Sequence, residues 1–307
     1  MMKDEHKKIY WQTGLEITPD TFIASDNYVS AQQNLIRKLV NLQYYGLLPV
    51  SDASAPSLIV NASMNGSEIS IEHLFCNGVT RDGYLIQCNN EHLPALRRQR
   101  LTVAGRSSGY SYVVLRTIPF EQTLVEPVEN EETPFALPVY ELDVKELTQI
   151  GGNELAILRI ECSPYSSRID LNYIPPCMAI RSHEKLIEQY RLMMQAVDRI
   201  LKAMLGKKSE YQQVLYPFTM LLFDLEQFSP HNPPYYLVQT LKKTIKTVDF
   251  FVKSSQWNLT EVMNIPYIHD DIDLMLQALA KCFQDIQIFI GKATVVKEKE
   301  EDFTPRI

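Results

Sequence analysis

Apolar and polar residues alternate along much of the first half of the chain. Ile69 and Ile71 alternate with Ser70 and Glu72, and a period of two residues is typical of strands that bury one face. Further strand candidates cover residues 84–86, 110–118, 140–144 and 155–160. Because these short runs are separated by Gly, Asn and Pro, we expect an antiparallel β-sandwich. Residues 126–138 are acidic and contain prolines, so they are expected to form an exposed loop.

The N-terminal part of the chain follows two other patterns. Residues 8–17 are predicted to form an opening strand, which Pro19 ends. Asp26 is then a candidate N-cap for a helix whose stripe has alternating spacings of four and three residues. The stripe consists of Tyr28, Gln32, Leu35, Leu39 and Leu42, and Gly46 and Pro49 are expected to stop this helix.

The pattern changes after Ile174-Pro175-Pro176 to a repeat of about 3.5 residues, which is typical of packed helices. Two adjacent prolines prevent both strand pairing and helix entry, so they are expected to separate two domains. The apolar stripes predict four helices, over residues 186–204, 214–228, 238–252 and 272–289. Ser182 is expected to cap the first of these helices and Gly206 to end it. Pro233-Pro234 should open the third helix, Asp270 or Asp271 should cap the fourth, and Gly291 should end it. An antiparallel four-helix bundle follows, although part of its seam could face a second copy of the chain.

Together these patterns predict an α+β protein with two domains. We expect a β-rich domain over residues 1–176, a helical domain over 177–292 and a charged tail over 293–307. Apolar residues make up 45% of the chain and charged residues 22%, which is enough to fill two cores without covalent staples.

Charge and cysteine content exclude several classes of function. The formal net charge is −7, whereas a nucleic-acid binder needs a basic face, so no nucleic-acid partner is expected. The five cysteines include no CxxC pair, which favours a reduced compartment. No apolar run approaches the roughly 20 residues of a membrane helix, and no secretory signal is visible. A cytoplasmic protein without direct membrane insertion is therefore expected.

Sequence motifs for catalysis are missing, and we predict no catalytic, cofactor-binding or metal-binding residue. There is no phosphate-binding glycine loop and no nucleophile elbow. The cluster that remains is His269-Asp270-Asp271. These residues could bind the metal of a hydrolase, but further ligands are not evident, and an acidic helix cap is the favoured interpretation.

Several segments together resemble the TssK family of type VI secretion baseplate proteins. The opening WQTGLEITP at residues 11–19, followed by Phe22, is similar to the first signature of that family. The segment YIPPCMAI at residues 173–180 is the other specific match. Weaker matches, in the same order along the chain, are residues 45–47, 77–83, 234–236 and 266–271.

The resemblance implies a non-enzymatic structural protein. It implies an N-terminal shell domain like the shoulder of phage receptor-binding proteins, then a helical middle domain, in a homotrimer. It also implies docking on the TssF/TssG wedge, in a cytoplasmic baseplate near the inner membrane. The partner-binding residues expected from the opening signature are Trp11, Leu15, Ile17 and Phe22, although large apolar residues of this kind could also form core.

One departure from the family pattern concerns the C-terminus. Members of the family usually continue into a head domain that contacts the membrane complex, whereas this sequence stops after the fourth predicted helix. The missing head domain argues against contact with the membrane complex. The chain is either naturally headless or truncated. Two other functions stay open, namely a phage-tail or receptor-binding adaptor with the same shoulder fold and a metal-dependent hydrolase using His269, Asp270 and Asp271.

Overall fold

The computed structural model divides the chain into two compact units. The first comprises residues 1–48 and 52–176, and the second comprises residues 49–51 and 177–307. The structure describes residues 8–41, 44–49, 56–103, 108–125, 135–205, 215–216, 218–220, 222–225, 227–228, 230–252 and 263–301. Its antiparallel sheets lie in the first unit and most of its helices in the second, so the chain is an α+β protein.

The first helix, α1 (Pro19–Asn41), begins seven residues before the predicted N-cap Asp26. Thr18 is the actual cap, because its hydroxyl accepts the amide hydrogen of Thr21 at 3.3 Å. Pro19 opens the helix instead of ending the preceding segment, since its missing N–H is not needed in the first turn. The sequence signal that was missed is therefore the run Thr-Pro-Asp-Thr at residues 18–21.

The predicted opening strand over residues 8–17 is wrong. This segment has no regular secondary structure in the described residues, and a turn interrupts it where the Leu15 amide donates to the Gln12 carbonyl at 3.2 Å. Gly14 occupies this turn with φ +89°, a left-handed conformation that a continuous strand cannot contain.

The first sheet is organised around one long strand. Its strands are β1 (Gly46–Leu47), β2 (Leu58–Asn65), β3 (Glu68–Val79), β4 (Leu85–Cys88) and β5 (Leu101–Thr102). All four other strands pair with β3 in antiparallel register. The predicted alternation is confirmed, because Ile69 and Ile71 are buried while Ser70 and Glu72 are exposed. A short helix, α2 (Leu93–Leu96), lies between β4 and β5.

The second sheet has four antiparallel strands in the order β7-β6-β8-β9. They are β6 (Gly109–Val125), β7 (Phe135–Lys145), β8 (Glu154–Cys162) and β9 (Ser167–Ile169). The strands predicted at 110–118, 140–144 and 155–160 are thus confirmed. Most of the expected acidic loop, residues 126–134, lies outside the described residues, but residues 135–138 belong to β7. Pro138 is tolerated there because β7 ends the order of strands, where a missing N–H costs little.

Among the described residues of the helical unit, the long helices are α3 (Glu184–Leu205), α4 (Pro234–Val252) and α5 (Ile272–Glu301). Both α3 and α4 pack against α5. Their buried stripes follow the predicted 3.5-residue repeat and include Met193, Val197, Ile200, Met204, Val238, Leu241, Ile245, Met275, Leu279 and Ile286. Helical turns within residues 215–225 contribute the buried side chains Phe218 and Leu225 to the core of this unit. The Tyr190 hydroxyl of α3 donates a hydrogen bond to the Leu225 carbonyl at 3.0 Å.

Two predicted helix ends of this unit differ in the structure, and a third is not tested by it. Helix α5 runs through Gly291 to Glu301, so most of the expected tail is helical and residues 302–307 lie outside the described residues. Ser182 does not cap α3 but lies in a 3₁₀ turn, where its hydroxyl accepts the Ala179 amide at 3.2 Å. The predicted stop Gly206 lies outside the described residues.

Candidate partner-binding surface

Helix α1 is seated on the turn between β3 and β4 by close contacts. Gly83 has φ +87°, and a Cβ at this position would collide with the Asn34 carbonyl of α1. Beside it, the Lys38 ammonium lies 2.6 Å from Asp82. The Asp82 amide also donates to the Gly152 carbonyl at 2.7 Å, which ties the turn to the second sheet. The Asp-Gly turn therefore fixes the position of α1 along the shell unit.

The opposite side of α1 is apolar and exposed. Phe22, Val29 and Ile36 follow one another at intervals of seven residues, and their exposed fractions are 58%, 48% and 58%. Leu39 and Val40 continue the same stripe and are also exposed. A heptad repeat of large apolar side chains is the pattern of a helix that packs against other helices. Large exposed apolar patches of this kind occur at sites of interaction with other molecules.

The residues predicted to bind partners lie at the start of this surface. Trp11 and Ile17 are 50% and 62% exposed, Leu15 is half-buried, and Phe22 is the first member of the heptad stripe. The first three belong to the irregular segment that leads into α1. The structure therefore places all four in the N-terminal segment and the first turn of α1. Sequence reasoning missed the continuation of the surface through Val29 and Ile36, which the heptad spacing could have revealed.

The His269-Asp270-Asp271 cluster forms a buried 3₁₀ turn directly before α5. The His269 ring nitrogen Nδ1 lies 2.7 Å from the Tyr267 hydroxyl. Within the described ranges no three His, Cys, Asp or Glu side chains come together in a way that could hold a metal ion. The cluster is thus packed into the helical unit at the start of α5.

The five cysteines are all buried, and none of them is part of a disulfide bond. Burial raises the pKa of the Cys76 and Cys177 thiols far above the ordinary value, and it raises the pKa of Cys88 to about 12. These thiols therefore stay protonated at neutral pH, which makes them poor nucleophiles. Among the helices that the structure describes, none is long and apolar enough to cross a membrane.

The chain thus has a β-rich unit followed by a helical unit, and helix α1 leaves an apolar surface exposed. Solved structures with a similar fold include structures of TssK. A crystal structure of TssK is 15% identical with a TM-score of 0.62, and the match covers 92% of this chain and 70% of that one.

Two further TssK structures match over nearly their whole length. One is a TssK-TssF-TssG baseplate subcomplex of the type VI secretion system, with 14% identity, a TM-score of 0.59 and coverage of 93% of this chain and 99% of that one. The other is TssK from the EAEC type VI system in complex with a nanobody, with 12% identity, a TM-score of 0.55 and coverage of 86% and 98%. At these identities the likeness establishes the TssK fold. No protein-family model and no curated protein sequence matches the chain.

Proposed function

We propose that this chain is a structural, non-enzymatic subunit of a type VI secretion baseplate, which works as a homotrimeric adaptor docked on a TssF/TssG wedge. The observation that carries the proposal is the uncovered heptad stripe of α1 on a chain with the TssK fold. One of the TssK structures with this fold is itself in a subcomplex with TssF and TssG. The protein acts by holding partners in place, in the cytoplasm at the inner side of the envelope.

The homotrimer is held together in part by α1. Each of the exposed side chains Val29, Ile36 and Val40 stabilises an interface by about 1.5–3 kcal/mol when it is buried. Three copies of α1 that meet along this stripe bury nine such side chains. Isoleucine and valine at equivalent heptad positions suit such a seam, since their branched side chains pack well between helices.

The shell unit forms a β-sandwich in this proposal. Its two sheets approach each other, since β2 lies next to β8 and β9 and the Tyr140 hydroxyl accepts the Gln87 amide at 2.9 Å. In the helical unit, the turns within residues 215–225 complete a four-helix bundle with α3, α4 and α5. The shell domain then covers residues 1–176 and the bundle domain residues 177–292.

The wedge binds at the N-terminal segment, through Trp11, Leu15, Ile17 and Phe22. Exposed aromatic and aliphatic side chains of this kind are typical anchors of protein interfaces. Contact with a membrane complex is not part of the proposal, and no cofactor or metal takes part in this role.

The test is a binding experiment with a TssF–TssG complex from the same secretion system. The purified chain should elute as a species of about three times 35.4 kDa in light scattering at micromolar concentration. Its immobilised form should capture the TssF–TssG complex. A chain that stays monomeric, or a folded trimer that does not retain the complex, would contradict the proposal.

A further inference from the structure

A cluster of arginines lies directly after α2 in the shell unit. Arg97, Arg98 and Arg100 occur within four positions and all three are exposed, although the formal net charge of the chain is −7. Opposite charges on two surfaces guide proteins together and fix how they are oriented. A basic cluster on an acidic protein therefore favours contact with a segment that is rich in carboxylates.

The segment that carries these arginines is fixed to both sheets. The Arg97 guanidinium donates to the carbonyl of Ile71 at 3.4 Å and to the carbonyl of Glu72, so it is tied to β3. The Gln99 side-chain oxygen accepts the amide hydrogen of Leu142 in β7 at 2.6 Å. A surface that is already ordered loses little conformational entropy when a partner binds, so this support suits a contact site.

The other two arginines, Arg98 and Arg100, form no ion pair within the part of the chain that the structure describes. Two carboxylates of neighbouring elements are bound elsewhere. Glu72 accepts from the Ser63 hydroxyl at 3.3 Å, and Glu91 accepts from the Asn89 side-chain amide at 3.4 Å. The planar guanidinium groups of Arg98 and Arg100 therefore remain available to carboxylates of another chain.

Strands β6 and β7 continue beyond the rest of their sheet. The pairing of β8 with β6 covers only Gly109–Arg116, whereas β6 and β7 pair as far as Val125 and Phe135. Residues 122–125 and 135–138 therefore form a two-stranded arm. A two-stranded hairpin is marginally stable by itself in water, so an arm of this kind gains stability from a further contact.

The connection at the end of this arm is strongly acidic. Residues 126–134 contain four glutamates, and no lysine or arginine occurs between Arg116 and Lys145. The glutamates are Glu126, Glu129, Glu131 and Glu132. The shell unit thus combines an arginine cluster with a segment of the opposite charge.

The direction of β7 separates these two segments within one chain. Leu142, which is bonded to Gln99, lies seven residues from Phe135, and seven residues of a strand span about 23 Å. The arm therefore carries the acidic connection away from the arginines of its own chain. Its base lies beside α1, since Gln122 and Pro138 line the same groove as residues of that helix. Because copies of the chain are proposed to meet along α1, the connection is placed close to a neighbouring copy.

We propose that Arg98 and Arg100 of each chain bind the glutamates of residues 126–134 of a neighbouring copy. The inference rests on the proposed homotrimer and adds a polar contact to the apolar seam of α1. Each chain gives one acidic connection and receives another, and such a head-to-tail contact closes in a ring of three copies. The charged contact fixes how the copies are rotated around the seam, which an apolar stripe alone specifies poorly.

The test measures the concentration at which half of the trimer of the full chain dissociates, by light scattering over a dilution series at low ionic strength. One variant combines Arg98→Glu with Arg100→Glu, and a second combines Glu131→Lys with Glu132→Lys. We expect each variant to raise this concentration about tenfold, because attraction becomes repulsion at three contacts. At about 1 M salt the variants should match the wild type, since exposed charges are then screened.

A third variant carries all four substitutions and restores opposite charges with exchanged positions. We expect its trimer to dissociate at nearly the wild-type concentration. The control is Arg168→Glu, because Arg168 is an exposed arginine of β9, at the other edge of the second sheet from β7, and its trimer should match the wild type. Circular dichroism checks that every variant is folded.

The signs of the effects distinguish this contact from a general effect of net charge. A general effect predicts that the arginine variant weakens the trimer and that the lysine variant strengthens it, whereas the proposed contact predicts that both weaken it. Wild-type stability of both variants, opposite effects, or a four-fold variant as weak as the others would overturn the contact and leave the homotrimer intact. A wild-type chain that is monomeric removes the homotrimer, and this contact fails with it.

Discussion

Gly14 and Gly83 have similar backbone angles but different surroundings. Gly14 and Gly83 have φ values of +89° and +87°, so an alanine is strained at either position. A Cβ at Gly14 would meet no atom within 4 Å, whereas at Gly83 it would collide with the Asn34 carbonyl and lie 3.0 Å from the Lys38 amide nitrogen. A substitution at Gly14 therefore measures backbone strain alone, whereas one at Gly83 also measures the steric clash with α1.

We predict that Gly83→Ala destabilises the shell unit by about 2–4 kcal/mol and that Gly14→Ala costs about 1 kcal/mol. The larger loss has a steric cause, because the backbone of α1 must move to admit the methyl group. Denaturant unfolding of the two variants, monitored by circular dichroism, gives the comparison. Equal losses would show that α1 is not held against the turn through Gly83.

His183 is expected to make the stability of the helical unit depend on pH. Its imidazole is largely buried before α3, and burial, with a contribution from Lys185, lowers its pKa from the ordinary 6.5 to about 4. The unfolded chain therefore takes up a proton at a higher pH than the folded chain does. The stability that the neutral ring contributes is present above pH 6.5 and is lost as the pH falls through about 4.

We expect His183→Phe to remove part of this pH dependence. Between pH 7 and pH 4.5 the wild-type helical unit should lose about 2–3 kcal/mol through this group, since each unit of pKa difference corresponds to about 1.4 kcal/mol. The measurement is the unfolding free energy of wild type and variant at both pH values. Identical losses in the two proteins would exclude His183 as the source.

At the scale of elements, α1 is held to the shell unit on one side and exposed on another. Its Lys38 side chain reaches Asp82, whereas its apolar stripe is exposed. An isolated helix of this length gains little stability by itself in water. Its large apolar side chains are consistent with an additional stabilising contact from other copies of the chain.

We predict that Ile36→Asp converts the trimer into a monomer. A carboxylate in the middle of the stripe has to be buried without a partner, which costs several kcal/mol at each of three symmetric positions. Ser30→Asp introduces the same charge at an exposed position of α1 outside the heptad stripe and should leave the trimer intact. Light scattering of both variants at equal concentration provides the readout, and a trimeric Ile36→Asp would contradict a seam along α1.

At the scale of the whole molecule, the N-terminal segment is proposed to connect the shell to the wedge. Trp11→Ala should weaken binding to the TssF–TssG complex by at least about tenfold, because an exposed tryptophan at an interface is a typical energetic hot spot. Tyr165→Ala is the matched control, since Tyr165 is an aromatic residue of the same unit with an exposed fraction of 99%. Thermal unfolding and light scattering must first show that both variants are folded and trimeric. Equal binding by the two would remove Trp11 from the docking surface.

The local periodicity of the sequence determined the type of most elements. Alternation placed the strands around Ile71, and the 3.5-residue repeat placed the three long helices, because these periods follow from which side of a strand or helix is buried. Helix ends were harder to predict. Gly291 does not end α5, and Pro19 begins α1, since the same residue type can stand inside or outside a helix depending on neighbouring contacts.

Only the tertiary structure decided which apolar stripes are core and which are surface. The stripe of α3 is buried by α5, whereas Phe22, Val29 and Ile36 of α1 stay exposed, although both helices show similar spacing in the sequence. Periodicity records that a face is apolar, but the partner of that face is set by the long-range packing of the chain.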